Sequence, residues 1–335
     1  MNKRSLVVRG RSWETGMYEY RPGGRGVRAA VIRGLCRIFV LPTLRWWPLR
    51  GPLARLMPLV DVVFRPVPRL AGTEYEPVRG AGWRGELVRP CDAATGGGAI
   101  LYLHGGAFLF CGLASHRRIV ERLALRTGLP VLSVAYRHLP KQRLDVSIAD
   151  ATDAFGWLVA RGVPAESIVC IGDSAGGHLA FALAFHAART GAGRPAGVVA
   201  MSPWLDFDNA AKSAHDNARR DVFIPATRLD RVAALLTGSE HSAAIDPLRS
   251  PVNLDPGVLP PVLIQCAEDE VLRCDAELMA DRLSAAGIEN TLQIWQGQVH
   301  AFPVLADLLP ESRAALDDIA AFTTRVLPTP PAKCA

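Results

Sequence analysis

The chain has 335 residues, 49% hydrophobic and 21% charged, with a formal net charge of +6. This composition excludes a disordered, fibrous or disulfide-scaffold protein and provides for a large buried core. Its seven cysteines are odd in number and lack metal-ligand spacing, which points to a reducing compartment and no metal site. The expected location is therefore cytoplasmic.

The first stretch, 1–75, reads as an N-terminal segment and a helical cap. Lys3, Arg4, Arg9 and Arg11 are not followed directly by an apolar run, so no signal peptide is read here. Over 29–41 apolar residues recur at near-helical spacing, with Arg33 and Arg37 one turn apart. Pro42, Pro48, Pro52 and Pro58 are expected to chop the chain beyond residue 41 into short pieces. No apolar run reaches the roughly 20 residues that a transmembrane helix needs. Two readings stay open for this basic stretch with its Trp46 and Trp47. In one, the cap packs on the core with its arginines in water. In the other, it rests peripherally on an anionic membrane. Nucleic acid is not an expected partner, because the basic residues alternate with aliphatics rather than with stacking aromatics.

From 76 to 327 strands and helices alternate, which predicts an α/β fold with a mostly parallel sheet covered on both faces. Strands are expected near 86–89, 99–103, 131–135, 167–171, 198–201, 262–266 and 291–295. Helices are expected near 115–127, 148–160, 175–189, 276–286 and 311–326. The pattern breaks between 204 and 250, which reads as a cap insertion, with 226–236 helical. The Pro-rich end, 328–335, reads as a loose tail.

Three places in this alternation carry chemistry. The strand at 99–103 runs into His104-Gly105-Gly106-Ala107-Phe108. Residues without side chains let the backbone approach a substrate oxygen closely. The N–H groups of Gly105 and Gly106, with that of Ala175, are the expected oxyanion donors, and His104 is expected to brace their loop. Next, an apolar run leads into Gly172-Asp173-Ser174-Ala175-Gly176-Gly177 and then a helix. Gly-x-Ser-x-Gly between strand and helix is the signature of a nucleophile elbow, whose sharp turn leaves no room for neighbouring side chains. Finally, the strand at 262–266 ends in Glu268-Asp269-Glu270, and the strand at 291–295 is followed by a loop carrying His300. The chain order Ser, acid, His suggests Ser174 as nucleophile, Asp269 as the acid and His300 as the base. Glu268 and Glu270 read as solvated loop charges. Trp204, Phe223 and Ile224, with Ala107 and Phe108, are candidate pocket walls.

On these motifs the chain resembles the hormone-sensitive-lipase family of α/β-hydrolases, in its bacterial esterase branch. The resemblance rests on the His104 and Ser174 motifs, Tyr136-Arg137, Ser202-Pro203-Trp204, Ser250-Pro251, Asp269-Glu270-Val271-Leu272 and His300. It implies an α/β-hydrolase fold with an N-terminal helical cap, a Ser-Asp-His triad and no cofactor. The implied reaction is serine-dependent hydrolysis of small-molecule carboxylic esters with short to medium chains. Two departures stand out: Ala107 replaces a third loop glycine, and Lys141 replaces an acid. The same triad would serve a deacetylase or a lactone hydrolase. A non-catalytic binding protein would be expected to lack one of its members.

Overall fold

The computed structural model describes residues 8–12, 16–23, 26–92 and 97–328. Ten strands form one sheet: β1 (Val8–Ser12), β2 (Gly16–Arg21), β3 (Thr73–Arg79), β4 (Arg84–Pro90), β5 (Ala99–Leu103), β6 (Val131–Ala135), β7 (Ile168–Asp173), β8 (Gly197–Met201), β9 (Val262–Ala267) and β10 (Asn290–Trp295). Their spatial order is β1-β2-β10-β9-β8-β7-β5-β6-β4-β3. The run from β2 to β6 is parallel, and the antiparallel pairs lie toward the two edges.

Side chains alternate faces along each strand, so each central strand feeds two cores. Leu101, Leu103, Cys170, Ile264 and Cys266 face one core, beneath the helices Leu144–Val159, Ala175–Thr190 and Arg273–Ala285. Ile100, Tyr102, Val169, Ile171 and Val199 face the other, beneath Arg117–Thr127 and Pro310–Val326. Cys170 and Cys266 are free and wholly buried, and burial pushes both thiols up.

The N-terminal segment also contributes to the sheet. It does not go to the cap alone: β2 pairs in parallel with β10, the strand that leads toward His300. The cap helix also runs on past Pro42. Val27–Leu35 continues through a π-helical turn, Cys36–Val40, into Leu41–Trp46. Leu41 N–H donates to the Cys36 carbonyl, five residues back. A π turn shifts the hydrogen-bond frame just before the residue that has no N–H to give, so the proline sits in the first turn of Leu41–Trp46. The expected tail lies outside the described residues beyond 328, as do the side chains of Lys3, Arg4, Arg9 and Arg11. No described helix is long and apolar enough to cross a membrane.

Candidate active site

Ser174 stands between β7 and the helix Ala175–Thr190 at φ 52°, ψ −115°. A non-glycine residue rarely holds such a backbone, and the surroundings must enforce it. The crowding is measurable. A Cβ on Gly172 would lie 2.2 Å from the Gly176 carbonyl oxygen, and one on Gly176 would lie 1.9 Å from that of Leu103. The elbow is also tied sideways, because Ser174 N–H donates to the Met201 carbonyl at 2.8 Å.

His300 follows β10 and is buried. Its Nδ1 lies 2.9 Å from Oε2 of Glu270. Ala301 N–H donates to Ser202 Oγ at 2.9 Å. Met201 and Ser202 thus anchor the serine elbow and the histidine loop from adjacent positions. Burial opposes the charged ring, but the Glu270 hydrogen bond and charge, with Asp221 beyond, outweigh it and raise the His300 pKa above 6.5.

Asp269, the expected acid, is elsewhere. It forms an ion pair with Arg33 of the cap helix at 3.0 Å, and both side chains are partly exposed. After β9 ends at Ala267 the chain turns tightly, and residues 269 and 270 send their side chains to different surroundings. Glu270 folds inward: its Oε1 accepts the Ala267 N–H at 3.2 Å while Oε2 meets the histidine. Two residues of the insertion hold this turn. Asn217 Nδ2 donates to the carbonyls of Glu268 and Glu270, both at 2.9 Å. Asp221 accepts from Val271 N–H at 2.9 Å and from Phe223 and Ile224 N–H. Burial raises the Asp221 carboxyl to about 6.

The oxyanion loop needs a second correction. Gly105 N–H is committed to Asp173 Oδ1 at 3.0 Å. The same carboxylate accepts from Tyr102 Oη at 2.8 Å, and its other oxygen lies 3.2 Å from His116 Nε2. Among the described residues, the N–H groups of Gly106, Ala107 and Ala175 have no acceptor. Ala175 is the first residue of its helix, where N–H groups have no intrahelical partner. The chain reverses at Gly106, φ 115°, and Ala107, φ 52°. His104 is buried, stacks on Tyr136 at 4.4 Å between centroids and bonds its own loop through Nδ1. Burial, with His116 nearby, pushes its ring down to about 3, so it stays neutral.

Of the candidate pocket walls, Phe223 lies 5.4 Å from the His300 ring between centroids, and Ile224 is half-buried beside it. Ala107 is also half-buried. Phe108 and Trp204 are not walls. Both are buried in the core, Phe108 edge-on to Tyr136 and His178, and Trp204 edge-on to Phe207. Sequence reasoning missed Glu270, Asn217, Asp221, Asp173 and His116. For Asp173 a signal existed, since an acid inside the elbow motif cannot stay unpaired once buried.

A serine on a strained elbow, a buried histidine–carboxylate pair and free N–H groups at a Gly-rich loop and at a helix start suit acyl transfer. The family described by the alpha/beta hydrolase fold matches residues 100–304. The chain belongs to the hormone-sensitive-lipase family of α/β-hydrolases. It is 39% identical over 285 residues to the esterase LipU of Mycobacterium tuberculosis, covering 83% of this chain and 93% of that one. It is 36% identical over 317 residues to the carboxylesterase/phospholipase LipF of the same species, covering 92% and 85%. A solved esterase of the bacterial hormone-sensitive-lipase family superposes with a TM-score of 0.80 at 28% identity, over 90% of this chain and 99% of that one. This hormone-sensitive-lipase relative is thus a carboxylic ester hydrolase acting on small-molecule esters.

Proposed function

We propose that this carboxylesterase works through Ser174, His300 and Glu270 on esters with short to medium acyl chains. The buried Glu270–His300 pair, together with the strained Ser174 elbow, carries the reading. Ser174 Oγ attacks the ester carbonyl as His300 Nε2 takes its proton. Glu270 holds the Nδ1–H tautomer and stabilises the imidazolium. The N–H groups of Gly106, Ala107 and Ala175 receive the oxyanion. His300 then gives its proton to the departing alcohol, and water, activated by the same ring, releases the acid. The size preference rests on the family and on the cap, since Arg33 bonds both Asp269 and the Gln298 carbonyl beside His300.

The test is hydrolysis of p-nitrophenyl esters from acetate to palmitate by wild type and by Ser174→Ala. Activity should peak at short chains and fall by about 10³-fold or more in the variant. Near-normal turnover in Ser174→Ala sinks the mechanism, and a peak at palmitate sinks the size preference.

The cap supports a second element of function, peripheral contact with a membrane. Trp46 is 80% exposed and Phe39 62%, with Val31, Ile38, Leu53 and Val63 also exposed. Arg37, Arg45, Arg50 and Arg55 lie among them and are exposed too. Apolar residues interleaved with arginine suit the headgroup boundary of an anionic bilayer. The relative LipF is named a carboxylesterase/phospholipase, which agrees with this reading.

A further inference from the structure

One sizeable cavity lies away from Ser174. It is an open groove of about 1040 Å³ behind the oxyanion loop, which it meets only at His104. Seven Arg and Lys side chains line it against two carboxylates, Asp61 and Glu86. The groove thus concentrates an excess comparable to the net charge of the whole chain.

Both carboxylates are already engaged. Asp61 accepts the N–H groups of Ala114 and Ser115, and Glu86 pairs with Arg69 at 2.8 Å. Arg137 is held by Asp150, and Arg117 donates to the carbonyls of Arg65 and Val67. Arg117 Nε is buried and has no acceptor among the described residues. Arg55, Arg65, Arg79, Arg84 and Lys141 are exposed and make no ion pair among the described residues. Five unpaired cations around one concavity repel each other unless an anion joins them.

One wall identifies the anion's source. Arg55, Pro58, Asp61, Val62 and Arg65 line the groove from the segment 53–65. Leu53, Leu59, Val63 and Phe64 of that segment are exposed apolar side chains. The groove therefore opens along the edge of the apolar cap surface. We infer that the groove is a headgroup site for anionic phospholipid, holding lipid phosphates while the neighbouring cap residues enter the acyl boundary. This rests on the membrane reading of the cap. Guanidinium forks match phosphate oxygens in pairs, and each basic residue near an anionic surface adds a similar increment of binding.

Flotation of the full chain with vesicles separates the two claims. The vesicles are phosphatidylcholine alone or an equimolar mixture with phosphatidylglycerol. The variants are Arg65→Gln/Arg84→Gln/Lys141→Gln and, separately, Phe39→Ser/Trp46→Ser, each checked for folding by its melting temperature. Wild type should prefer the anionic vesicles. The groove variant should lose that preference, with affinity for them falling about a hundredfold. The cap variant should weaken binding to both vesicle types. If the groove variant keeps its preference for anionic vesicles, the groove assignment is overturned while the cap reading stands. Absence of binding to either vesicle overturns both. Tight binding of soluble glycerol 3-phosphate by a chain indifferent to vesicles would make the groove a site for free phosphate esters and overturn the lipid assignment.

Discussion

Asp221 accepts the backbone N–H of Val271 at 2.9 Å, and so the insertion after β8 holds the residue next to Glu270. Asn217 adds two further bonds to the same turn. The polar insertion is therefore a clamp on the turn that carries Glu270. Asn217→Ala removes two hydrogen bonds to the carbonyls of Glu268 and Glu270, which keep only their bonds from Arg273, and should cost about 2 kcal/mol. A urea titration measures that loss. If the clamp also positions Glu270, kcat should fall more than KM rises.

Neighbouring acids should behave oppositely. Glu270→Gln keeps the shape but not the charge that fixes the His300 tautomer, and kcat should drop by about 10³- to 10⁴-fold, as in other triads. Asp269→Asn removes only a partly exposed ion pair, worth at most about 1 kcal/mol. Its kcat should stay within a few-fold of wild type. Steady-state kinetics on one soluble ester compares the two, and the reverse ranking would restore Asp269.

The pH profile carries its own sign. His300 must be neutral to accept a proton, and its pKa is raised above 6.5 by Glu270 and Asp221 despite burial. The acid limb of kcat/KM should therefore have its midpoint above 6.5. In Glu270→Gln the residual activity should show that limb at lower pH. Stability runs the other way. The gain from His300 is full below the unfolded imidazole value and is lost as pH rises through the higher folded one. Asp221, raised to about 6, likewise contributes less as pH climbs from the ordinary carboxylate range through 6.

Asp173→Ala should be far more harmful than Asp173→Asn. The carboxylate is buried and serves Tyr102, Gly105 and His116 together. Burial alone would raise its pKa, yet His116 and these bonds hold it below the ordinary range. Removing it strands three buried groups and should cost about 3–5 kcal/mol. Asn retains an acceptor for Gly105 and should fold, with a slower kcat from a looser oxyanion loop. Thermal melts and kcat on the pair test both statements.

The hydrogen bond between Glu270 and His300 shows where reading the chain alone stopped. Elements defined by neighbours along the chain were legible. The apolar runs over β5, β6 and β9, the helix after Ser174 and the elbow glycines all declare themselves, because strand alternation and steric crowding act within a few residues. Edge strands β2 and β3 were not, since half-exposed strands carry little apolar signal. At the candidate site, residue types and their order pointed to Ser174 and His300. The choice among Glu268, Asp269 and Glu270 could not be read the same way, because all three are acids on one turn. That choice depends on which side chain points inward, and hence on Asn217, Asp221 and Arg33, which are distant in sequence. Likewise, the Gly-rich loop announced backbone donors, but only the fold brought Asp173 against Gly105 and left the next N–H groups free. Local sterics wrote the elbow into the sequence. Burial and partners from remote segments, which no local pattern encodes, decided which acid meets His300 and which N–H groups of the loop stay free.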